Sequence, residues 1–193
     1  MRRRSVVAGA AWAAPTIAIG SAAPAMAASR PPGLQGWVTV GKGCENSRLT
    51  LTINGTGGGT ANPPDSNSRG LWVYNTNSST SIANARVTIY YPNSLGTIAF
   101  SRVGSGGTTW SIPAVDSTAP ARSGYTAYST FYTGNWEFYD LNGVIDDHHR
   151  AVDRPNFTAT INVSSCPNIQ VYSWRTVQVD GQTISFTRGP ISL

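Results

Sequence analysis

The sequence predicts an all-β sandwich or barrel. Short apolar runs alternate with polar residues at a period of two, the signature of strands with one buried face. Clusters of Gly, Pro, Asn and Ser punctuate them, and after residue 28 no stretch keeps a 3.6-residue apolar period over helical length. Charged residues make up only 12% of the chain, and six Trp residues are present, a composition that folds rather than staying disordered.

Residues 1–28 read as a cleaved export signal. Arg2, Arg3 and Arg4 form a basic head, residues 6–19 are weakly hydrophobic and rich in Ala and Gly, and Pro24, Ala25, Met26 and Ala27 supply a small-residue cleavage site. Pro15 and Gly20 break the apolar run short of the roughly 20 residues that a spanning helix needs. Arg3-Arg4-Ser5-Val6-Val7 reads as a twin-arginine translocation signal, so the working protein is expected outside the membrane, secreted or at the cell envelope, with no span after cleavage. The formal charge of +5 includes the three leader arginines; without them 11 basic residues face 9 acidic ones. The remaining arginines are scattered singly, which leaves no footprint for nucleic acid.

Residues 29–36 read as a flexible segment leading into one domain, 37–193, a length that can bury a real core. Leu49, Leu51 and Ile53 alternate with Thr50, Thr52 and Asn54, and residues 71–74 are a compact Leu-Trp-Val-Tyr run. Val87 and Ile89 alternate with Arg86, Thr88 and Tyr90, and Phe157, Ala159, Ile161 and Val163 alternate with Thr158, Thr160 and Asn162. Ile98 with Phe100, and Trp110 with Ile112, form shorter alternating pairs, and residues 125–132 alternate aromatic with small side chains. Residues 134–156 have no clear pattern. Asp180-Gly181 supplies the positive φ angles of a two-residue hairpin turn. That register sets Val177 opposite Ile184 and Arg175 opposite Phe186, and turns Trp174 to the other face among Thr176, Thr183, Ser185 and Thr187. There Trp174 is either covered by another segment or exposed for binding.

Cys44 and Cys166 are the only cysteines. In an exported protein an isolated pair forms a disulfide, and too few Cys or His partners lie at short spacing for a metal site built on them. The Gly-rich stretches 55–59 and 104–107 are inter-strand loops; no Gly-Lys-Ser/Thr follows either one.

Two constellations carry possible chemistry. His148 and His149 lie among Asp140, Asp146, Asp147 and Asp153. In a loop this set would suit calcium or another metal, Asp140 to His149 being the candidate ligands; the blander reading, preferred here, is a solvated polar loop. The same histidines are the only candidate bases for a secreted hydrolase, yet no Gly-x-Ser-x-Gly elbow is present, and the sequence is read as non-catalytic and without a cofactor. The second constellation is aromatic. Trp72, Tyr74, Tyr90, Tyr128, Tyr132, Trp136, Tyr139 and Trp174 either fill the core or line a stacking platform for sugar rings.

The leader Arg-Arg-Ser-Val-Val-Ala-Gly-Ala-Ala-Trp-Ala-Ala-Pro-Thr-Ile (3–17) resembles those of small exported actinobacterial proteins of unknown function, and Lys42 as the only lysine fits a high-GC genome. Residues 71–76 and 85–89 are similar to strands of bacterial surface domains with immunoglobulin-like sandwiches. The resemblance implies an immunoglobulin-like antiparallel β-sandwich with a structural or binding role, its partner a cell-wall polysaccharide or another envelope protein. No Tyr-x-Cys precedes Cys166, and Trp72 lies far from Cys44, so the bridge is expected to clasp strand ends rather than pin the core.

Overall fold

The computed structural model describes residues 30–56, 69–104, 107–140 and 147–193. Residues 1–28, which read as an export signal, residues 57–68 and Asp146 lie outside the described residues. The fold is all-β, three antiparallel sheets with one disulfide. One sheet joins β1 (Gly33–Trp37), β4 (Gly70–Tyr74), β10 (His148–Ala151) and β9 (Trp136–Tyr139) in that order. A second runs β2 (Thr39–Glu45), β3 (Arg48–Asn54), β11 (Asn156–Asn162) and β6 (Ser101–Arg102). The third runs β13 (Gln182–Ser192), β12 (Gln170–Val179), β5 (Ile82–Pro92), β8 (Tyr125–Tyr132) and β7 (Ala114–Val115).

The period of two does what it promised. On β3 the residues Leu49, Leu51 and Ile53 are wholly buried, while the residues between them are not. Leu71 and Val73 of the first sheet, Phe157 of the second, and Val87, Ile89 and Val177 of the third join them in one core. The three sheets therefore pack as a sandwich, in line with the expected immunoglobulin-like class, although the strands divide into three sheets rather than two. Each buried Leu, Ile or Phe side chain contributes roughly 1.5–3 kcal/mol, so truncation of Leu51 to Ala is a core-collapsing change.

The C-terminal hairpin forms as its turn chemistry dictates. Asp180 (φ 48°) and Gly181 (φ 80°) both take positive φ, and Val177 pairs with Ile184 and Arg175 with Phe186. Cys44, at the end of β2, bonds Cys166 beyond β11, with Cα atoms 5.9 Å apart. Both cysteines are exposed, so the bridge clasps strand ends.

Three expectations change. Residues 33–36 are no flexible lead-in but most of β1, because Leu34 buries its side chain and the strand pairs with β4 from Gly33 onward. Residues 134–156 are not patternless; they supply β9 and β10, too short for periodicity to reveal. Ile98 and Phe100 are buried without belonging to a strand, and Ile112 is exposed beside Trp110, which makes a single bridge to Tyr132.

Candidate functional site

Alternation along β5, β12 and β8 decides what the outer face of the five-stranded sheet displays. Val87 and Ile89 point into the core, so Arg86, Thr88 and Tyr90 point out. The register then aligns Thr176, Arg86 and Phe131 in one row across β12, β5 and β8, and Trp174, Thr88 and Ser129 in the next. The Arg86 guanidinium lies 4.4 Å from the Trp174 ring centroid and 5.7 Å from that of Phe131. It is fixed there by Asp116, whose Oδ2 accepts from Arg86 Nη1 at 2.8 Å. Thr118 also accepts from Nη1, at 2.9 Å. Beneath this layer Thr88 and Ser129 share a buried hydroxyl–hydroxyl bond of 2.7 Å.

Asp116 is the electrostatic anchor of the face. Burial alone would push its carboxyl up, but hydrogen bonds from Ser129 and Thr118, with the Arg86 charge, outweigh it and bring it down from 3.8 to about 2. Asp116 is therefore an anion at any physiological pH, and Arg86 stays docked over the indole.

Beside Phe131 the sheet forms a shallow concavity of about 280 Å³ lined by Asn84, Arg86, Phe131, Thr176, Gln178 and Thr183. Phe131 is 42% exposed at its wall. Asn84 Nδ2 donates to Gln178 Oε1 at 2.7 Å, which leaves the Asn84 carbonyl as an acceptor and the Gln178 amide as a donor. Farther along the face, four residues or about 13 Å from Arg86 at strand rise, a second cluster covers Tyr90, which is 3% exposed, donates its hydroxyl to Pro120 O and so is no exposed platform residue. Arg122 lies 3.7 Å from the Tyr172 ring centroid and 5.6 Å from that of Tyr90, and Tyr125 meets Tyr172 edge-on at 5.3 Å. One sheet surface thus carries aromatic rings, guanidinium planes, amides and hydroxyls, groups that suit a flat ligand rich in hydroxyls.

The expected aromatic platform is only partly here. Trp174 lies on this face, half-buried, with the Arg86 guanidinium of β5 over its ring. Tyr128 and Tyr132 are core residues, 2% and 6% exposed; their strand alternates, and these positions fall on its inner side. Trp72 is 3% exposed, on the opposite side of its strand from Leu71 and Val73, and is likewise no exposed platform. Trp136 packs against the core, edge-on to Tyr132 at 5.5 Å. Arg86, Asp116, Phe131, Asn84 and Gln178 were missed as site residues, although the polar phase of residues 86–90 was a readable signal for the face.

The histidines do not sit in a solvated loop. Both lie in β10, 1% and 6% exposed, with neighbouring side chains on opposite sides of the strand. His148 stacks on Tyr139 at 5.2 Å and tilts against Tyr74 at 5.6 Å. His149 Nδ1 bonds Thr76 Oγ1 at 2.9 Å and packs on Phe138 at 5.1 Å. Burial, then the neighbouring His148, holds His149 below its ordinary pKa, so it is neutral near pH 7. Asp140 is exposed and Asp147 half-buried, Asp146 is outside the described residues, and among the described residues no three His, Cys, Asp or Glu groups gather as a metal set. Asp153 has a local task. Its carboxylate accepts from Gly107 N (2.9 Å), Thr109 N (3.2 Å), Thr109 Oγ1 (2.8 Å) and Arg154 N (2.9 Å).

Among the described residues no helix is long and apolar enough to cross a membrane. No family model matches the chain, and no curated protein matches it.

Proposed function

We propose that this protein is an exported, non-catalytic module of the cell envelope or extracellular space that binds polysaccharide along the outer face of its five-stranded sheet. The observation that carries the reading is the concavity beside Phe131, where an exposed ring adjoins an anchored guanidinium and a donor–acceptor amide pair. A pyranose offers an apolar C–H face and adjacent hydroxyls, and this surface offers a ring for the first and amides for the second. The Cys44–Cys166 disulfide fits an oxidising location. The twin-arginine leader supports export by that route.

Co-sedimentation of the purified protein with insoluble envelope polysaccharide tests the reading. Phe131→Ala is expected to weaken retention by about tenfold, or about 1.4 kcal/mol. Trp136→Ala, on a different sheet, is expected to leave it unchanged. Equal retention of the wild type and Phe131→Ala, or no retention of either, overturns the assignment of this face.

A further inference from the structure

On β12 the residues Val171, Ser173, Arg175, Val177 and Val179 share the inner side of the sheet, and Arg175 is the one charge among them. It is 4% exposed, with Val87 and Phe186 as its neighbours on the adjoining strands. Its Nε is fully buried and makes no hydrogen bond. Among the described residues no carboxylate pairs with it, and the charge that acts on it is a second cation, Arg188. Burial first, and then Arg188, lower its pKa to about 10.

An arginine in this state is costly. Taking a cation out of water is unfavourable by several kcal/mol unless an anion and well-aligned acceptors compensate, and replacing such a group by an apolar residue of similar size is often stabilising. Arg188 adds repulsion to that cost. Ser173 pairs with Arg188, and Arg175 with Phe186, so the two arginines are diagonal neighbours on one side of the ribbon. β13 is the edge strand of its sheet; β1 packs against part of the ribbon, but Arg188 on this side of β13 is exposed to solvent. Phe186, between them in the ladder, is 45% exposed.

We propose that Arg175 and Arg188 form a binding site for an oxyanion, a phosphate or a carboxylate borne by a ligand that arrives at the β13 edge. Each guanidinium presents a planar fork of N–H donors matched to such oxygens, and two forks converging on one anion turn mutual repulsion into shared attraction. Phe186 gives the remainder of the ligand an apolar contact. This site lies on the opposite side of β12 from Trp174, so it is separate from the polysaccharide-binding face and its test is independent of that reading.

Thermal unfolding of the full protein is followed in sodium chloride, sodium phosphate and sodium acetate at matched ionic strength and pH. Phosphate or acetate is expected to raise the midpoint above the chloride value by on the order of 2–4 °C through preferential binding to the folded state. Arg175→Met is expected to unfold at a higher midpoint in chloride and to lose the oxyanion-specific increment. Arg188→Gln, at an exposed position that leaves the core intact, is expected to reduce the increment and guards against a folding defect in the first variant. In the wild type, the Arg175 Nε–Hε resonance is expected to shift on titration with whichever anion stabilises. Identical midpoints in all three salts, or an increment that survives both substitutions, overturns the proposal.

Discussion

Replacing Asp116 by Asn removes the anion that holds Arg86 over Trp174 while keeping an oxygen able to accept from Thr118. In the folded protein this carboxyl titrates at about 2 against an ordinary 3.8. The difference converts to about 2 kcal/mol of stability at neutral pH. Side-chain exposures of 13% for Arg86 and 7% for Asp116 shield the pair from solvent, so salt screens it little and the expected value stays at about 2 kcal/mol. The sign follows from which state binds the proton first. The unfolded chain takes it up near 3.8 and the folded one only near 2, so the contribution is full above the first value and lost as pH falls through the second. Urea unfolding of the wild type and Asp116→Asn at a series of pH values from about 6 to about 2 reads it directly. The stability gap is expected to be widest at the upper end and to close on acidification, since every other carboxylate is common to both proteins. A gap that stays constant over the whole window would refute the argument, because it would show that the substitution acts through packing and not through charge.

Asp153→Ala removes the acceptor for three backbone amides and the Thr109 hydroxyl, a loss of about 2–3 kcal/mol for hydrogen bonds to a charged group; hydrogen exchange at Gly107 and Thr109 is expected to accelerate, with β3 amides unaffected in rank. Reducing the Cys44–Cys166 bridge, whose sequence separation is 122, is expected to cost about 5 kcal/mol on the chain-entropy account. Denaturant midpoints with and without reductant check it, and an unchanged midpoint contradicts it.

Local chemistry was legible in the sequence and long-range pairing was not. The Asp180-Gly181 turn fixed its own register within the hairpin, so the partners of Val177 and Arg175 followed from counting. The disulfide followed from there being two cysteines in a chain whose first residues read as an export signal, without any knowledge of strand order. The side taken by Tyr128 and Tyr132 was different in kind: their strand is patterned on both faces, and only pairing with β5 decides which face is core. Trp136 and the two histidines lie on four-residue strands, too short to show a period, so their burial came from neighbours distant in sequence. Arg86 was visible as the polar phase of a strand, but its task depends on Asp116, Trp174 and Phe131, which three other segments of the chain deliver to it.

The same reasoning separates His149 from the carboxylates by pH. Its ring sits between Thr76 and Phe138, and burial, reinforced by His148, depresses its folded pKa below the ordinary 6.5. For a base the consequence is that the unfolded chain binds a proton first as pH falls below 6.5, so stability declines from that point until the folded ring also protonates. The Asp116 contribution, by contrast, is intact until the pH reaches its unfolded value of 3.8. A plot of unfolding free energy against pH is therefore expected to show two descents on acidification, the upper one absent in His149→Gln and the lower one shallower in Asp116→Asn, where Asp153 and Glu137, also held below their ordinary values, still titrate. Because His149 faces the interior and Asp116 the outer sheet surface, the two losses should add in the double variant. If the upper descent persisted in His149→Gln, the neutral, Thr76-bonded state assigned to His149 would be wrong.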